Sequence, residues 1–379
     1  MPGAGAKKTA QISAGGRPGR PPQRSPASGD RYFAEVVSGI EDMAAAEIAE
    51  LGGVAVEPGD GGLRFVHGSP AVVLDAGMLA AVYRELRFEV PRPKALLGDA
   101  AARRLSAAVG ETARSARPAM LTFRLAAAGA DSAVFRRLAA SLEAATALRE
   151  DPVDGQVLVR VRPYRHAGAS GWEALVRLTP RPLSTRAWRV CNRPGGLNAT
   201  VAVALNEMLG LAPGSGYLNL MCGSGTLLIE RALAGPHGRL VGVDIEQDAL
   251  ACTTINMAAA GVADRVQLIR ADVEDPSLVA RLGAGAGGHG AGTGRFGAIA
   301  ADVPWGDAVG SHRANLALHE AVSRVAAESL ARGGRLGLVS HELRLLARVF
   351  ETDTGWRTVS RRQVSHGGHN PVVLVVERV

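Results

Sequence analysis

Residues 217–228 read Y-L-N-L-M-C-G-S-G-T-L-L. The apolar run from Tyr217 to Met221 predicts a strand, and Thr226 onward predicts a helix. Between them, Gly223 and Gly225 let the backbone approach a ligand closely. A dinucleotide fingerprint would carry a third glycine at position 228, where this chain has Leu228, so the G-x-G alone is a weak signal. Two later strand ends strengthen it. Asp244 closes R-L-V-G-V-D, where a carboxylate in such sheets meets a pair of ribose hydroxyls. Asp272 closes V-Q-L-I-R-A-D, where an acid can reach an adenine amino group. Taken singly, Asp244 also fits a helix N-cap and Asp272 a turn. Three strand-end features in this order predict a nucleoside ligand.

On either side of that stretch, strands and helices alternate. Helices are expected over 198–209, 225–234, 247–260 and 315–331. Strands are expected over 217–221, 239–243, 266–270, 297–301 and 334–340. This is the pattern of a doubly wound parallel α/β sheet with helices on both faces. W-R-T-V-S-R-R-Q-V and P-V-V-L-V-V-E-R-V near the C-terminus read as a final antiparallel pair. G-A-G-A-G-G-H-G-A-G-T-G, residues 283–294, reads as a flexible insertion rather than a phosphate loop, because no strand leads into it and no helix follows.

The fourth strand of the series ends F-G-A-I-A-A-D-V-P-W-G, and ligands of open α/β sheets bind outside such carboxyl ends. An exocyclic base amine is a poor nucleophile, because its lone pair is delocalised into the ring. Asp302 offers a carboxylate that can accept a hydrogen bond from such an amine, and the carbonyl of Val303 or Pro304 offers a second acceptor. Trp305 offers a flat face for a flipped base. Rate gain would come from position and electrostatics. The alternative for the motif alone is a D-x-P turn with a buried Trp.

The first half has a different character. Residues 1 to about 30 hold five basic residues (Lys7, Lys8, Arg17, Arg20, Arg24) against Asp30, with little apolar mass, and read as a disordered basic arm. Y-F-A-E-V-V from Tyr32 predicts a strand, and Ser38 with Glu41 a capping box that opens a helix ending at Gly52-Gly53. A strand over Leu63–Val66, a helix over Ala71–Val82, a helix over Asp99–Val109, a strand over Ala119–Ala127 and a helix over Ser132–Ala147 follow. Val157–Arg165 and Trp172–Leu178 read as strands. The chain has a net charge of +7 and a pI near 9.9, which suits an anionic partner. From Arg92 to Arg193 eighteen Lys and Arg face eight Asp and Glu, so the basic excess concentrates there. Arg160, Arg162 and Arg165 are candidates for phosphate contact, or else a solvated strand face.

Cys191, Cys222 and Cys252 form no C-x-x-C pair, so neither a disulfide framework nor a zinc cluster is indicated and a reducing cytoplasm is expected. No apolar run reaches the roughly 18 residues of a membrane span. H-G-G-H places His366 and His369 in a glycine turn; with no third ligand in view, no metal site is expected, and His312 and His341 add none.

These motifs resemble a known family. L-N-L-M-C-G-S-G-T-L-L-I-E resembles the glycine loop of THUMP-domain RNA guanine-N2 methyltransferases, D-V-P-W-G resembles their D/N-x-P-Y/F-G motif, and R-P-L-S-T-R-A-W-R-V resembles the segment that joins their two halves. The resemblance implies a Rossmann-like doubly wound methyltransferase domain over 197–379, a linker over 179–196 and a smaller α/β ferredoxin-like plus THUMP RNA-binding module over 31–178. It implies S-adenosylmethionine as cofactor, held by Asn219, Met221, Cys222, Gly223, Gly225, Thr226, Asp244, Ile245, Asp272 and Val273. Asp302, Pro304 and Trp305 would carry the chemistry, and Cys222 would be a small packing residue. The implied reaction is methylation of the N2 amine of a guanosine in RNA, foremost tRNA held by its acceptor end, by a cytoplasmic monomer or weak dimer. The motif residues do not separate guanine from adenine, so N6-adenine methylation, an rRNA or DNA substrate, and an RNA-binding protein with an inactive core stand as alternatives. Two departures are visible: the loop's leading Asp is Asn219 here, and the catalytic aromatic is Trp305.

Overall fold

The computed structural model describes residues 29–166, 168–235, 237–284, 295–303, 312–365, 368 and 370–379. The basic arm before Gly29 and most of the glycine-rich insertion lie outside the described residues, as do His366 and His369.

The first sheet begins at Asp30, two residues earlier than the sequence pattern suggests. It is built from β1 (Asp30–Val36), β2 (Val54–Gly59), β3 (Gly62–His67), β4 (Leu79–Phe88), β5 (Thr122–Ala127), β6 (Arg149–Glu150), β7 (Val157–His166) and β8 (Ala169–Arg177), in the order β2-β3-β1-β4-β8-β7-β5-β6. Its helices are α1 (Glu41–Glu50), the short α2 (Pro70–Val73), α3 (Asp99–Ser115) and α4 (Ala133–Thr146). Leu105, Val109, Phe135, Leu138 and Leu142, at helical spacing on α3 and α4, pack on the β-branched and aromatic side chains of one sheet face.

Three expectations change here. The helix expected over Ala71–Val82 ends at Val73, and Leu79 begins a ten-residue strand. The alanines of L-A-A-V-Y-R-E-L-R-F favour a helix locally, but pairing with β1 on one side and β8 on the other overrides that propensity. Ser38 and Glu41 do not form a reciprocal box: Glu41 accepts from the Gly39 N–H at 2.8 Å, while the Ser38 carbonyl accepts from Ser365 N–H across the molecule. Arg160 and Arg162 are held by the sheet's own carboxylates. Arg160 pairs with Glu35 and lies over Tyr83, and Arg162 pairs with Glu173 at 2.7 Å and lies over Phe33. Arg64, buried between Glu85 and Glu173, completes this network, so the second sheet face is a charged and aromatic layer in which Arg165 alone of the three candidates stays exposed.

The second sheet follows the pattern of the sequence. Its strands are β9 (Tyr217–Leu220), β10 (Leu240–Asp244), β11 (Val266–Arg270), β12 (Phe296–Asp302), β13 (Leu330–Ser340), β14 (Trp356–Gln363) and β15 (Val372–Arg378), in the order β11-β10-β9-β12-β13-β15-β14. β11 through β13 are parallel; β15 runs antiparallel to β13 and β14. α5 (Ala199–Met208), α6 (Thr226–Leu233) and α7 (Gln247–Ala260) cover one face, and α8 (Leu278–Ala284) and α9 (His312–Ser329), with the short α10 (Leu343–Leu346) after β13, cover the other. The neighbouring strands β9 and β10 thus end together, beside β12, on the carboxyl-end side in the middle of the sheet.

The two sheets share one core. Tyr32, Ile40, Met78 and Leu79 pack with Val201, Leu205 and Val373. Polar ties fix the angle between them. Arg362 forks onto Asp42 at 2.6 and 2.8 Å, and Arg186 donates to the Gly77 carbonyl at 2.6 Å and to Glu230 at 2.7 Å. Within the first half, Glu47 steadies the stretch that Arg186 grips, accepting from the Gly77 and Met78 N–H groups at 2.7 and 2.9 Å. Glu230 of the L-L-I-E run and Arg186 of the joining segment therefore serve as a mount for the first half, not as reacting groups.

Candidate active site

The loop from β9 to α6 departs from ordinary backbone conformations. Met221, Gly223 and Gly225 all have positive φ, at 50°, 57° and 84°. The two glycines are needed for different reasons. A Cβ at Gly223 would meet no described atom within 4 Å and would project into open space, so that space is left to a ligand. A Cβ at Gly225 would come within 2.8 Å of Thr253 Cγ2, so that glycine permits helix packing. Asp244 braces the loop: one carboxylate oxygen accepts from the Gly223 N–H at 2.8 Å and the other from the Glu246 N–H at 3.0 Å. Thr253 Oγ donates to the Gly223 carbonyl at 2.7 Å.

This loop floors a cavity of about 690 Å³, a volume suited to a nucleoside-sized ligand. Asn219, Met221, Cys222, Gly223 and Thr226 line it from the loop and its flanks. Asp244 and Ile245 line it from the end of β10, and Asp272 and Val273 from beyond β11. Asp302 and Val303 line it from the end of β12. Gly225 lies behind the loop. Pro304 and Trp305 lie outside the described residues.

The wall has distinct chemical zones. Ile245 keeps 55% of its surface exposed, while Val273 is buried, so an apolar surface lies next to the acid at Asp272. Asp272 also makes the turn that its sequence position allows, accepting from the Glu274 N–H at 2.9 Å, yet it remains exposed at the rim. Cys222 is buried, and that burial pushes its thiol up to about 12, so it packs rather than attacks. Asn219 is 1% exposed; its Nδ2 donates to the Leu220 and Ala300 carbonyls, both at 3.1 Å, and its Oδ1 has no partner among the described residues. Asp302 stays partly open to solvent, but the protein around it desolvates the carboxyl and pushes its pKa up to about 7.

The sequence reading missed one wall. N-R-P-G-G-L-N, which begins within the expected 179–196 linker, lines the cavity from Arg193 to Leu197. Its one sequence signal is the Pro-Gly-Gly run, which marks a turn as readily as a close approach to a ligand. Arg193 pairs with Glu246 across the mouth. Asn256 anchors this segment from α7: Oδ1 accepts from the Val190 and Cys191 N–H groups at 3.0 and 2.8 Å, and Nδ2 donates to the Cys191 and Ser224 carbonyls at 2.9 and 3.0 Å. Arg189 donates to Thr226 Oγ at 2.7 Å and to the Leu197 carbonyl at 2.8 Å. The cysteine reading is corrected as well, because Cys191 and Cys252 form a disulfide. The two lie 61 residues apart in sequence, and only the fold brings their Cα atoms to 5.5 Å.

The chain is similar to known proteins in sequence and in fold. Residues 186–371 match the family model UPF0020, RMKL-like, methyltransferase domain. The U6 snRNA (guanine-N(2))-methyltransferase THUMPD2 of Bos taurus is 35% identical over 92 residues, which are 24% of this chain and 18% of that protein. The tRNA (guanine(6)-N2)-methyltransferase of Archaeoglobus fulgidus is 25% identical over 215 residues, with 50% of each chain covered. The chain thus spans half the length, or less, of these curated relatives. TrmN from Thermus thermophilus superposes with a TM-score of 0.70 at 24% identity, over 92% of this chain and 99% of that one, and shares the fold of both sheets. Among the described residues, no helix is long and apolar enough to cross a membrane.

Proposed function

Residues 186–371 belong to the RMKL-like methyltransferase domain family, and on that premise we propose that the protein methylates the exocyclic N2 amine of a guanosine in RNA, tRNA foremost, with S-adenosylmethionine as methyl donor. The observation that carries this reading is the convergence of the glycine loop and Asp302 on one cavity at the carboxyl ends of neighbouring parallel strands. The relatives' names support RNA guanine as the substrate class.

The residues present fit the cofactor. The orphaned Oδ1 of Asn219 suits an ammonium group, and the space at Gly223 admits an amino-acid tail. Asp244 uses both oxygens to hold backbone N–H groups, yet each oxygen keeps a lone pair for a ribose hydroxyl. Ile245 and Val273 offer apolar contact to a base, with Asp272 beside them. When bound, the cofactor supplies an electrophilic methyl group on a sulfonium.

Asp302 accepts a hydrogen bond from the target amine and fixes its direction; the Val303 carbonyl is the second acceptor. With its pKa near 7, the carboxyl can also take up the proton that the amine releases. By the D-V-P-W-G motif alone, the Pro304 carbonyl would be an alternative acceptor and Trp305 would give the flipped base a stacking face. Residues 31–178, as a ferredoxin-like plus THUMP module, would hold the RNA through exposed arginines such as Arg103, Arg136, Arg137 and Arg165. The reading places the protein in the cytoplasm with its RNA.

The test is nucleoside mass spectrometry of tRNA and rRNA from a strain lacking the protein and from its parent. Loss of N2-methylguanosine from one RNA fraction supports the proposal and names the substrate. Unchanged N2-methylguanosine with loss of another methylated base overturns the base assignment. No change in any nucleoside, with a folded protein in the parent, sinks it.

A further inference from the structure

At the end of β13, the strand paired with the one that ends in Asp302, lies a second polar cluster that the chemistry above does not use. Asn315 and His319 stand one turn apart on α9, Ser340 ends β13, and Glu342 follows two residues later. His319 is fully buried. Its Nδ1 lies 2.7 Å from the Asn315 carbonyl, which can only accept, so Nδ1 carries the proton. Nε2 then accepts from Ser340 Oγ at 3.3 Å, and Ser340 Oγ accepts from the Glu342 N–H at 3.1 Å. Burial holds the His319 pKa below its ordinary value, in keeping with this neutral ring.

The relay fixes the turn that carries Glu342. Glu342 Oε1 accepts from Asn315 Nδ2 at 3.1 Å, which leaves its second oxygen for another donor. Asn315 is 5% exposed, and its Oδ1 has no partner among the described residues. A buried acceptor left unpaired destabilises the fold, so a native fold retains one where something else fills it. None of the four residues lines the cavity itself; β13 carries the cluster next to it, on the strand that pairs with β12. Val303 N–H donates to the Val339 carbonyl at 2.9 Å, one residue before Ser340, and Leu318, on the same helix, lines the cavity with Asp302.

We propose that Glu342, held by Asn315 and the His319–Ser340 relay, reads the edge of the target base by accepting the N1–H of guanine, and so selects guanine over adenine. This inference rests on the proposed methyl transfer. Guanine places a ring N–H donor next to its N2 amine, whereas adenine N1 is an acceptor. Two acceptors, Asp302 for the amine and Glu342 for the ring nitrogen, answer two adjacent donors. Against adenine N1, the Glu342 carboxylate would set lone pair against lone pair. Sites that hydrogen-bond a substrate group discriminate far better than apolar pockets against the analogue lacking it.

The test uses RNA with 2-aminopurine at the target position, which keeps the 2-amine but turns N1 into an acceptor. The intact protein is expected to methylate guanosine with kcat/KM about 100-fold or more above 2-aminopurine. E342Q is expected to lower the guanosine value at least about tenfold and raise the 2-aminopurine value, since the amide can donate to N1, while S-adenosylhomocysteine affinity stays within about twofold. Equal rates on the two RNAs with the unmutated protein, or an E342Q variant that scales both equally, overturn the inference and leave methyl transfer standing. No guanosine methylation by the unmutated protein removes the proposed function and this inference with it.

Discussion

Asn219 donates from Nδ2 to the Ala300 carbonyl at 3.1 Å, and this bond ties the strand that leads into the glycine loop to the strand that ends in Asp302. The same nitrogen donates to the Leu220 carbonyl. Both partners only accept, so the orientation of the amide follows from its network, and the oxygen is the end left to the cavity.

From this follows the behaviour of N219D. The family's usual acid would set a carboxylate oxygen against two carbonyls in a buried site. We expect a loss of about 1–3 kcal/mol, seen as a Tm several degrees lower, even though the new charge suits a cationic ligand. A thermal melt without ligand decides it: an unchanged Tm would show that the two carbonyl bonds contribute little.

Asp302 should impose a pH dependence of known sign. Its folded pKa of about 7 lies above the ordinary 3.8, so between these values the folded state binds the proton that the unfolded state has lost. The contribution of this group is therefore full below pH 3.8 and is lost as the pH rises towards 7. Activity runs the other way, because the ionised carboxylate is the better acceptor, and kcat should rise through an apparent pKa near 7. D302N should lose that limb and keep a small, flat activity, and its Tm relative to the parent should improve from pH 5 to pH 8. A D302N profile that still rises near 7 assigns the limb to another group.

Much of this was legible in the sequence, and the failures have physical causes. The central strands β9, β10 and β12 of the second sheet show in the pattern because they are almost wholly buried, whereas the short helices α8 and α10 carry too few turns to show a period. The strand at Leu79–Phe88 was missed because its alanines carry a local preference that only the pairing with β1 and β8 reverses. The glycine loop, Asp244, Asp272 and Asp302 could be found because they punctuate strand ends. Asn256, the Cys191–Cys252 bridge and the Asn315–Glu342 pair could not, because each is a relation between residues that only the fold brings together.

The two glycines of the loop should fail differently. G223A places its methyl in the cavity without touching described protein, so its cost to stability is the positive φ alone, about 1 kcal/mol. Its effect on S-adenosylhomocysteine binding should be tenfold or more. G225A drives a methyl to 2.8 Å from Thr253, so it should destabilise the fold by about 1–3 kcal/mol beyond the φ cost. Paired melts and calorimetric titrations of both variants check this; a G223A protein that binds ligand normally would remove the loop from the site.

The segment that closes the cavity is held twice, and the two ties can be separated. The Cys191–Cys252 bridge closes a span of 61 residues, for which chain entropy allows at most about 4 kcal/mol of stabilisation. Asn256 binds the same peptide through both its N–H and its carbonyl, and reaches on to the Ser224 carbonyl within the glycine loop. The amide does not depend on redox state. Reduction, or C252S, should therefore lower the Tm while leaving S-adenosylhomocysteine affinity within about threefold, because Asn256 still positions residues 190–191. N256A should weaken binding about tenfold even in the oxidised protein, because four hydrogen bonds go and the glycine loop loses its link to the 193–197 wall. Titrations of both variants with and without reductant distinguish the ties. If reduction alone abolished binding while N256A retained it, the covalent bridge, and not the amide, would be what shapes the cavity.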